Sequence, residues 1–521
     1  MDGSRGGRMD IHDQSAAIEF LGSAENYGFS GRVEVIETHI SFVFLIDGRA
    51  FKLKRAVKLP YVDFSTYDLR LYYCQREVEL NGRATPDLYL GIRRITREAD
   101  GRLTFDGTGK PVDVIVEMTR FAQHDLFDRM AQEGRLTTRI MEETAGLVAS
   151  FHAKAPVVHA GSGSANLAGV LDINEAGFAT SHVFPPEEIA HLAKAFRASW
   201  QGHASLMDSR EEQDKVRLCH GDLHLRNLFM SAAGPRMFDC IDFNDQIATV
   251  DVLYDLAFLL MDLWHRGFPD FANIVMNRYL DRTGDDEGYA LLPFFMAVRA
   301  AVRAHVTGTQ IEEAGDADGN LTKSARGYFA FAAELLKPGM PRLIAIGGLS
   351  GSGKSTLADA LAPRLGTAPG ARLLESDRLR KAMFGIAVDE RLPLEAYRPE
   401  VSQKVYDNLA TRAAKIIAGN GAVVVDAVFD RPEERRHIEA VAAEAGIAFT
   451  GIWLEADAET LKVRIANRPQ GQSDATTDIL ERQLAKDIGE MNWIRLVTTV
   501  PTTELVERVL ALAAKSESVC A

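Results

Sequence analysis

The chain has 521 residues, 59 Lys and Arg against 73 Asp and Glu, a formal charge of −14, and 46% hydrophobic residues. That length exceeds one comfortable core, and at roughly 100–200 residues per domain it implies about two to four units. The acidic balance argues against a general nucleic-acid binder, and the four scattered cysteines (Cys74, Cys219, Cys240, Cys520) form no CxxC pair and suit a reducing compartment.

The opening MDGSRGGRMDIHDQ has no apolar run of the signal-peptide kind, and residues 1–14 are expected as a disordered tail. RVEVIE, SFVFLI and RAFKLK, within residues 32–54, are short β-prone runs, the last two joined by an Asp47–Gly48 turn, which is a hairpin signal. A helix is expected over 67–83, then strands at YLGIRRI and PVDVIVEM. From about 124 to 336 helical periodicity dominates. The most apolar long run, VDVLYDLAFLLMDLW (250–264), carries three aspartates and reads as a buried helix rather than a span, so a cytoplasmic protein is expected.

KPGMP (337–341) breaks the pattern and is taken as the linker between a first domain, 15–336, and a second, 342–515, with 516–521 as a C-terminal tail. Beyond the linker apolar strands alternate with helices: RLIAIGG, a helix from Lys354, ARLLESD, a long helix near 400–418, GAVVVDA, GIAFTGIWL and further helix. That rhythm predicts a parallel sheet covered by helices on both faces.

GGLSGSGKST (347–356) fits GxxxxGKS from Gly348 to Ser355, between a buried strand and an amphipathic helix. Gly348, Gly351 and Gly353 allow the tight turn, with Ser350, Ser352 and Thr356 completing a phosphate cradle. Lys354 is expected on the β- and γ-phosphates of ATP and Ser355 on Mg²⁺. Asp377 and Asp426 end predicted strands and therefore face the same crevice. Their spacing leaves open which assists Mg²⁺ and which takes the acceptor proton. Arg464 and Arg468, four residues apart, fit one face of a lid helix over the transferring phosphoryl group.

In the first domain HGDLHLRN gives His220, Asp222 and Asn227 in the spacing HxDxxxxN. Asp222 is expected to take or orient an acceptor hydroxyl, and Asn227 to bind Mg²⁺. A zinc reading of His220 and His224 is disfavoured because HExxH needs a continuous helix and a glutamate. Asp242, at the expected end of the strand RMFDCID, takes the second metal position. Upstream, strand alternation puts Lys52 and Lys54 on one face; Ala50 favours Lys52 as the ATP lysine. Glu77 is its expected ion-pair partner, with Glu79 second, and residues 116–118 supply the adenine hinge. No glycine-rich loop is present; Thr38, His39 and Ser41 would have to replace it.

GGLSGSGKST, LLESDRLRK, VVVDAVF with Arg431 and Arg435, and RIANR resemble the P-loop small-molecule kinases of the zeta toxin, gluconate kinase and chloramphenicol phosphotransferase group. The resemblance implies a P-loop NTPase fold and makes Asp377 the acceptor-activating base, leaving Asp426 to the metal. HGDLHLRN, IDF and DVLYDLAFLL with Asp255 resemble the aminoglycoside phosphotransferase and choline-kinase-like branch of the bilobal protein-kinase fold. The whole arrangement is similar to bacterial fusions of such a domain with a P-loop kinase. It implies a bifunctional phosphotransferase using ATP and Mg²⁺ on small hydroxylated acceptors. Two other readings stand beside it. One is a nucleic-acid end kinase with a channel of Arg372, Arg378, Arg380, Arg398 and Lys404; the other is a switch whose first half is a pseudokinase.

Overall fold

The computed structural model describes residues 13–59, 62–159, 161–388, 390–467 and 476–520. They divide into two compact units, one of residues up to 160 with 211–255, the other of 161–210 with 256 onward. The helices of 256–336 thus pack in the same unit as the predicted P-loop region.

In the first unit six strands form one antiparallel sheet: β1 (Glu34–Glu37), β2 (Ser41–Ile46), β3 (Arg49–Lys54), β4 (Tyr89–Arg97), β5 (Leu103–Phe105) and β6 (Lys110–Thr119), in the order β1-β2-β3-β6-β4-β5. The turn between β2 and β3 puts Asp47 at φ 49°, the left-handed conformation a two-residue hairpin requires. One face packs Phe44, Phe51, Leu53, Ile95 and Ile115 into a core with Phe20. The chain already enters this fold at Gln14, whose side chain is buried and bonds to the Lys54 carbonyl and to Asp113.

The other face receives helix α1 (Tyr67–Ala84), started by Thr66, whose Oγ1 accepts from the Leu69 amide. Arg70, Cys74, Glu77 and Leu80 repeat at helical spacing and are all buried. A charged residue at such a position needs a partner. Arg70 meets Asp113 of β6 at 2.8 Å, with neither exposed, and this pair sets the register that carries Glu77 under the sheet. A further hairpin, β7 (Leu228–Ser231) with β8 (Gly234–Met237), follows the HGDLHLRN loop.

In the second unit the helices α2 (Pro269–Thr283), α3 (Leu292–Ala314) and α4 (Asn320–Leu335) precede a five-stranded, wholly parallel sheet. Residues Glu287–Glu312 are long and apolar enough to cross a membrane, but 67% of that window is buried inside the fold. The sheet strands are β9 (Arg342–Gly348), β10 (Arg372–Glu375), β11 (Ala422–Asp426), β12 (Phe449–Glu455) and β13 (Ile494–Val497), in the order β10-β11-β9-β12-β13.

Ile344, Ile346, Val424 and Ile452 form one face with helices α5 (Lys354–Leu361) and α11 (Thr502–Cys520). Alternate residues Leu343, Ala345, Val423 and Val425 are equally buried on the other, where α7 (Pro399–Ala418) and α8 (Pro432–Ala445) pack. Helix α6 (Ser376–Met383) follows β10 directly. The fold is therefore built of two α-and-β units, an antiparallel sheet backed by a helix in the first and a parallel sheet covered by helices on both faces in the second. The last strand, β13, falls where further helix was expected; its partly exposed IRLV lacks an apolar run and forms only by pairing with β12 at the sheet edge.

Candidate active sites

The first site lies within the first unit. Lys52 and Lys54 point to one side of β3, and Glu77 meets both: Oε1 is 2.8 Å from Lys52 Nζ and Oε2 is 2.7 Å from Lys54 Nζ. Lys54 also meets Asp242 at 2.5 Å, and Lys52 meets Asp239 at 2.6 Å. The two lysines are not equivalent. Lys54 is enclosed, at 2% side-chain exposure, whereas Lys52 is 16% exposed and reaches the more open Asp239. Burial pushes Glu77 upward, but the two ammonium groups outweigh it and bring it down to about 2. Burial raises Asp242 to about 6 against the opposing pull of Lys54.

The strand expected to end at Asp242 ends instead at Met237. The next residues leave the ladder because other groups claim their amides: Asp239 N donates to Tyr89 Oη, Cys240 N to Asn81 Oδ1, and Ile241 N to the His220 carbonyl. Asp239 takes φ 61° in the process. This path brings Asp242 to Lys54 rather than leaving it on a strand.

The loop at 220–227 is tied to that segment. His220 is kept below its ordinary pKa by burial. Its Nε2 donates to the Phe238 carbonyl at 2.9 Å while Nδ1 accepts from the Asp222 amide. Asp255 accepts from the Gly221 amide at 2.7 Å and the His220 amide at 3.3 Å, and it meets His152 Nε2 at 3.0 Å. Asn227 spends both amide donations on Asp222, at the carbonyl and at Oδ2, each 2.9 Å. Its amide oxygen is thereby left for an electrophile. His224 Nε2 lies 3.3 Å from Asp222 Oδ2, so His220 and His224 serve the loop rather than forming a pair of metal ligands. Thr38 closes the turn that replaces a glycine loop by accepting from the Ser41 amide, and Ser41 Oγ is buried beside it without a hydrogen-bond partner. His39 is exposed on the same turn.

The second site forms at the C-terminal edge of the parallel sheet, where β9, β10 and β11 end side by side. Gly348 sits at φ 147°, and a Cβ there would meet the Leu454 carbonyl at 2.8 Å; Gly351, at φ 81°, would meet that of Leu461 at 2.8 Å. Only glycine fits either place. Gly353 is the residue before α5, whose N-terminus therefore faces the loop. Lys354 Nζ donates to the Leu349 carbonyl at 3.1 Å, folded along the loop. Thr356 is exposed on the first turn, and Ser352 Oγ is buried and unpartnered. The Ser350 amide donates to Gln483 Oε1 at 2.9 Å, from helix α10 (Thr477–Leu484).

Ser355 Oγ donates to Asp426 Oδ2 at 2.6 Å. Burial raises Asp426 to about 6; Lys354 and Ser355 oppose the rise, and the neighbouring Glu375 and Asp377 carboxylates add to it. Asp377 lies in the first turn of α6, whose N-cap position is held by Glu375, so Asp377 is not the cap. Arg464, on helix α9 (Ala458–Ala466), donates to Thr498 Oγ1 at 2.8 Å and to its carbonyl at 2.7 Å, anchored at the end of β13 rather than held out on a lid. Arg468 lies outside the described residues.

Of the five residues that a basic channel would need, three are spent on other partners, while Arg398 and Lys404 are exposed. Arg372 is fully buried between Asp281 and Asp286, Arg380 is buried against the Ala396 carbonyl, and Arg378 pairs with Glu375. Sequence reasoning did not find Asp239 or Gln483. The first stands only three residues before Asp242; nothing local marks the second.

Residues 100–292 match a family described as "Phosphotransferase enzyme family", and residues 343–486 match one described as "AAA domain". An uncharacterized protein of Mycobacterium bovis and one of Mycobacterium tuberculosis are each 27% identical over 457 residues, covering 86% of this chain and 88% of theirs. Among solved structures, a gluconokinase from Sinorhizobium meliloti is 24% identical, covering 34% of this chain and 93% of its own, with a TM-score of 0.26. A choline/ethanolamine kinase family protein from Mesorhizobium loti is 13% identical, covering 62% and 94%, with a TM-score of 0.38. The chain thus joins a phosphotransferase-type segment to a nucleotide-binding P-loop segment.

Proposed function

We propose that the chain is an ATP- and Mg²⁺-dependent phosphotransferase with one site in each compact unit, each passing a phosphoryl group to a hydroxyl of a small molecule. One observation carries the reading: each unit holds a complete set of its own. Lys52, Lys54, Glu77, Asp222, Asn227 and Asp242 belong to the first; Lys354, Ser355, Asp377, Asp426 and the three glycines belong to the second.

The residues suit a hard divalent cation. Asp242 and Asp426 are buried carboxylates raised to about 6, and Asp426 stands 2.6 Å from a neutral oxygen donor, Ser355 Oγ. Asn227 and Asp242 would hold the ion in the first site, Ser355 and Asp426 in the second. Bound there, the ion would neutralise polyphosphate charge.

The protein's own groups do the rest. Lys52, held by Glu77, faces the α- and β-phosphates in the first site; Lys354 reaches the β- and γ-phosphates in the second. The acceptor oxygen bonds to the γ-phosphorus as the bond to the β–γ bridging oxygen breaks, and ADP leaves. The hydroxyl proton passes to Asp222 in the first site and to Asp377 in the second. A cavity of about 450 Å³ bordered by Leu349, Asp457, Leu461 and Val497 offers apolar walls for a nucleoside.

The test is a metabolite screen with γ-labelled ATP on the wild type, Asp222→Ala and Lys354→Ala. Transfer to at least one hydroxylated acceptor that disappears in one variant and persists in the other supports the reading. No transfer to any acceptor with either site intact would sink it.

A further inference from the structure

Strand β10 is the outermost strand of the parallel sheet, and its far edge is open to whatever lies beside it. Helix α2 covers that edge with side chains that replace a strand. Asn277 Oδ1 accepts from the Leu373 amide at 2.7 Å, and Asn273 Nδ2 donates to the Ala371 carbonyl at 3.0 Å and to that of Pro369 at 2.9 Å. Arg372 of β10 reaches back to Asp281 at 2.6 Å and Asp286 at 2.8 Å. Arg412 of α7 closes on Asp286 as well.

One residue of α2 goes further. Arg278, only 6% exposed, puts Nη1 at 2.6 Å from Glu375 Oε2, and Nη2 at 3.6 Å from Asp359 Oδ1. Glu375 is the last residue of β10, the register partner of Asp426, and the residue from which α6 departs with Asp377 two positions on. Asp359 stands four residues beyond Ser355 on α5. Glu375, Asp359, Asp377 and Asp426 are thus four carboxylates around one crevice. Carboxyl groups held this close require compensation; Arg378 of α6 pairs with Glu375, and Arg278 is a buried cation that touches both Glu375 and Asp359. Yet Arg278 lies within residues 100–292, the part matching the phosphotransferase family, and outside the part matching the AAA domain.

We propose that Arg278 is a positioning residue of the P-loop site: by clamping Glu375 it fixes the β10–α6 turn and hence the aim of Asp377. The second site is then completed by a helix of the first family segment, so the two segments are not independent modules. This rests on the reading of Asp377 as the proton acceptor.

The experiment uses the full chain with Arg278→Gln and Arg278→Lys, following the ATP turnover that is lost in Lys354→Ala, with water or an acceptor from the screen. Hydrogen exchange is read over residues 374–383. Arg278→Gln lowers kcat about tenfold with the KM for ATP within about twofold, the signature of lost positioning rather than lost binding. Exchange in 374–383 quickens while strands 343–347 and 422–426 stay protected, and Arg278→Lys restores part of both. Unchanged kcat and exchange, or a lysine variant no better than glutamine, overturns the proposal. So does a uniform rise in exchange across the sheet, which would mean a merely structural role.

Should Arg278→Gln fail to fold, Glu375→Gln decides beside Arg378→Gln: the first removes the clamped partner and leaves Arg278 its bond to Asp281, the second removes only the other cation on Glu375, and the loss must appear in the first and not in the second. The same tenfold loss supports the clamp, and wild-type behaviour overturns it. If the wild type shows no Lys354-dependent turnover, the functional reading fails, and exchange in 374–383 alone judges Arg278.

Discussion

Glu77 grips two lysines with its two oxygens, Lys52 at 2.8 Å and Lys54 at 2.7 Å. Only Lys54 is sealed in with a second carboxylate, Asp242. The pair therefore divides structure from chemistry. Lys54→Met leaves Glu77 only Lys52 and strands the buried Asp242, and breaking such a buried pair costs about 3–5 kcal/mol. Lys52→Met removes the more exposed lysine, costs less stability and loses more ATP affinity in the first site. Thermal melts and nucleotide titrations of the two variants test this ordering; equal melting temperatures would contradict it.

Asp222 is held by Asn227 and His224, and its loop by Asp255. Asp222→Asn keeps the shape and removes the base. It lowers first-site turnover by about 10²–10⁴, the range for a positioned general base. The KM for ATP stays near its wild-type value. Steady-state kinetics with an acceptor from the screen checks it.

Asp426 is a buried carboxylate raised from 3.8 to about 6. A raised pKa means the protonated form suits the fold: the stabilisation is complete below about 3.8 and is lost as pH rises through about 6. At pH 7.5 the ionised group therefore costs up to about 3 kcal/mol, from roughly two pKa units at about 1.4 kcal/mol each. Asp426→Asn relieves that cost and still accepts from Ser355. The variant should melt higher than wild type at pH 7.5, with the gap closing toward pH 4, while P-loop turnover is lost. A variant that melts lower at pH 7.5 would count against the burial argument.

His305 presses Nδ1 toward Gly177, where a Cβ would lie 2.7 Å away, and burial lowers it from 6.5 to about 4. The neutral ring belongs to the fold, so its contribution is full above 6.5 and is lost as pH falls through about 4. His305→Gln should flatten the loss of stability over that window by at most about 3 kcal/mol. Denaturant melts from pH 7 to pH 4 measure it.

Much of both sites was legible because the signals are local. Glycines at 348, 351 and 353, followed by Lys-Ser at the start of a helix, constrain their own backbone, and HGDLHLRN closes its own hydrogen bonds. Glu77 was reachable because strand period and helix period agree on one face. Pairings between distant segments were not legible. Lys52 and Lys54 share a face, so alternation alone cannot divide Glu77 between them. Asp242 was placed on a strand because RMFDCID looks apolar; the amides that break that strand are claimed by Tyr89 and Asn81, some 150 residues away. Arg372 and Arg380 read as solvated cations until α2 and the 396–402 segment are brought beside them.

Nucleotide stoichiometry bears most directly on there being two separate sites. Calorimetric titration of the full chain with a non-hydrolysable ATP analogue and Mg²⁺ needs no knowledge of the acceptors. Two equivalents should bind the wild type, and one should bind Lys354→Ala. A single equivalent for the wild type, or complete loss of binding in Lys354→Ala, would contradict two sites.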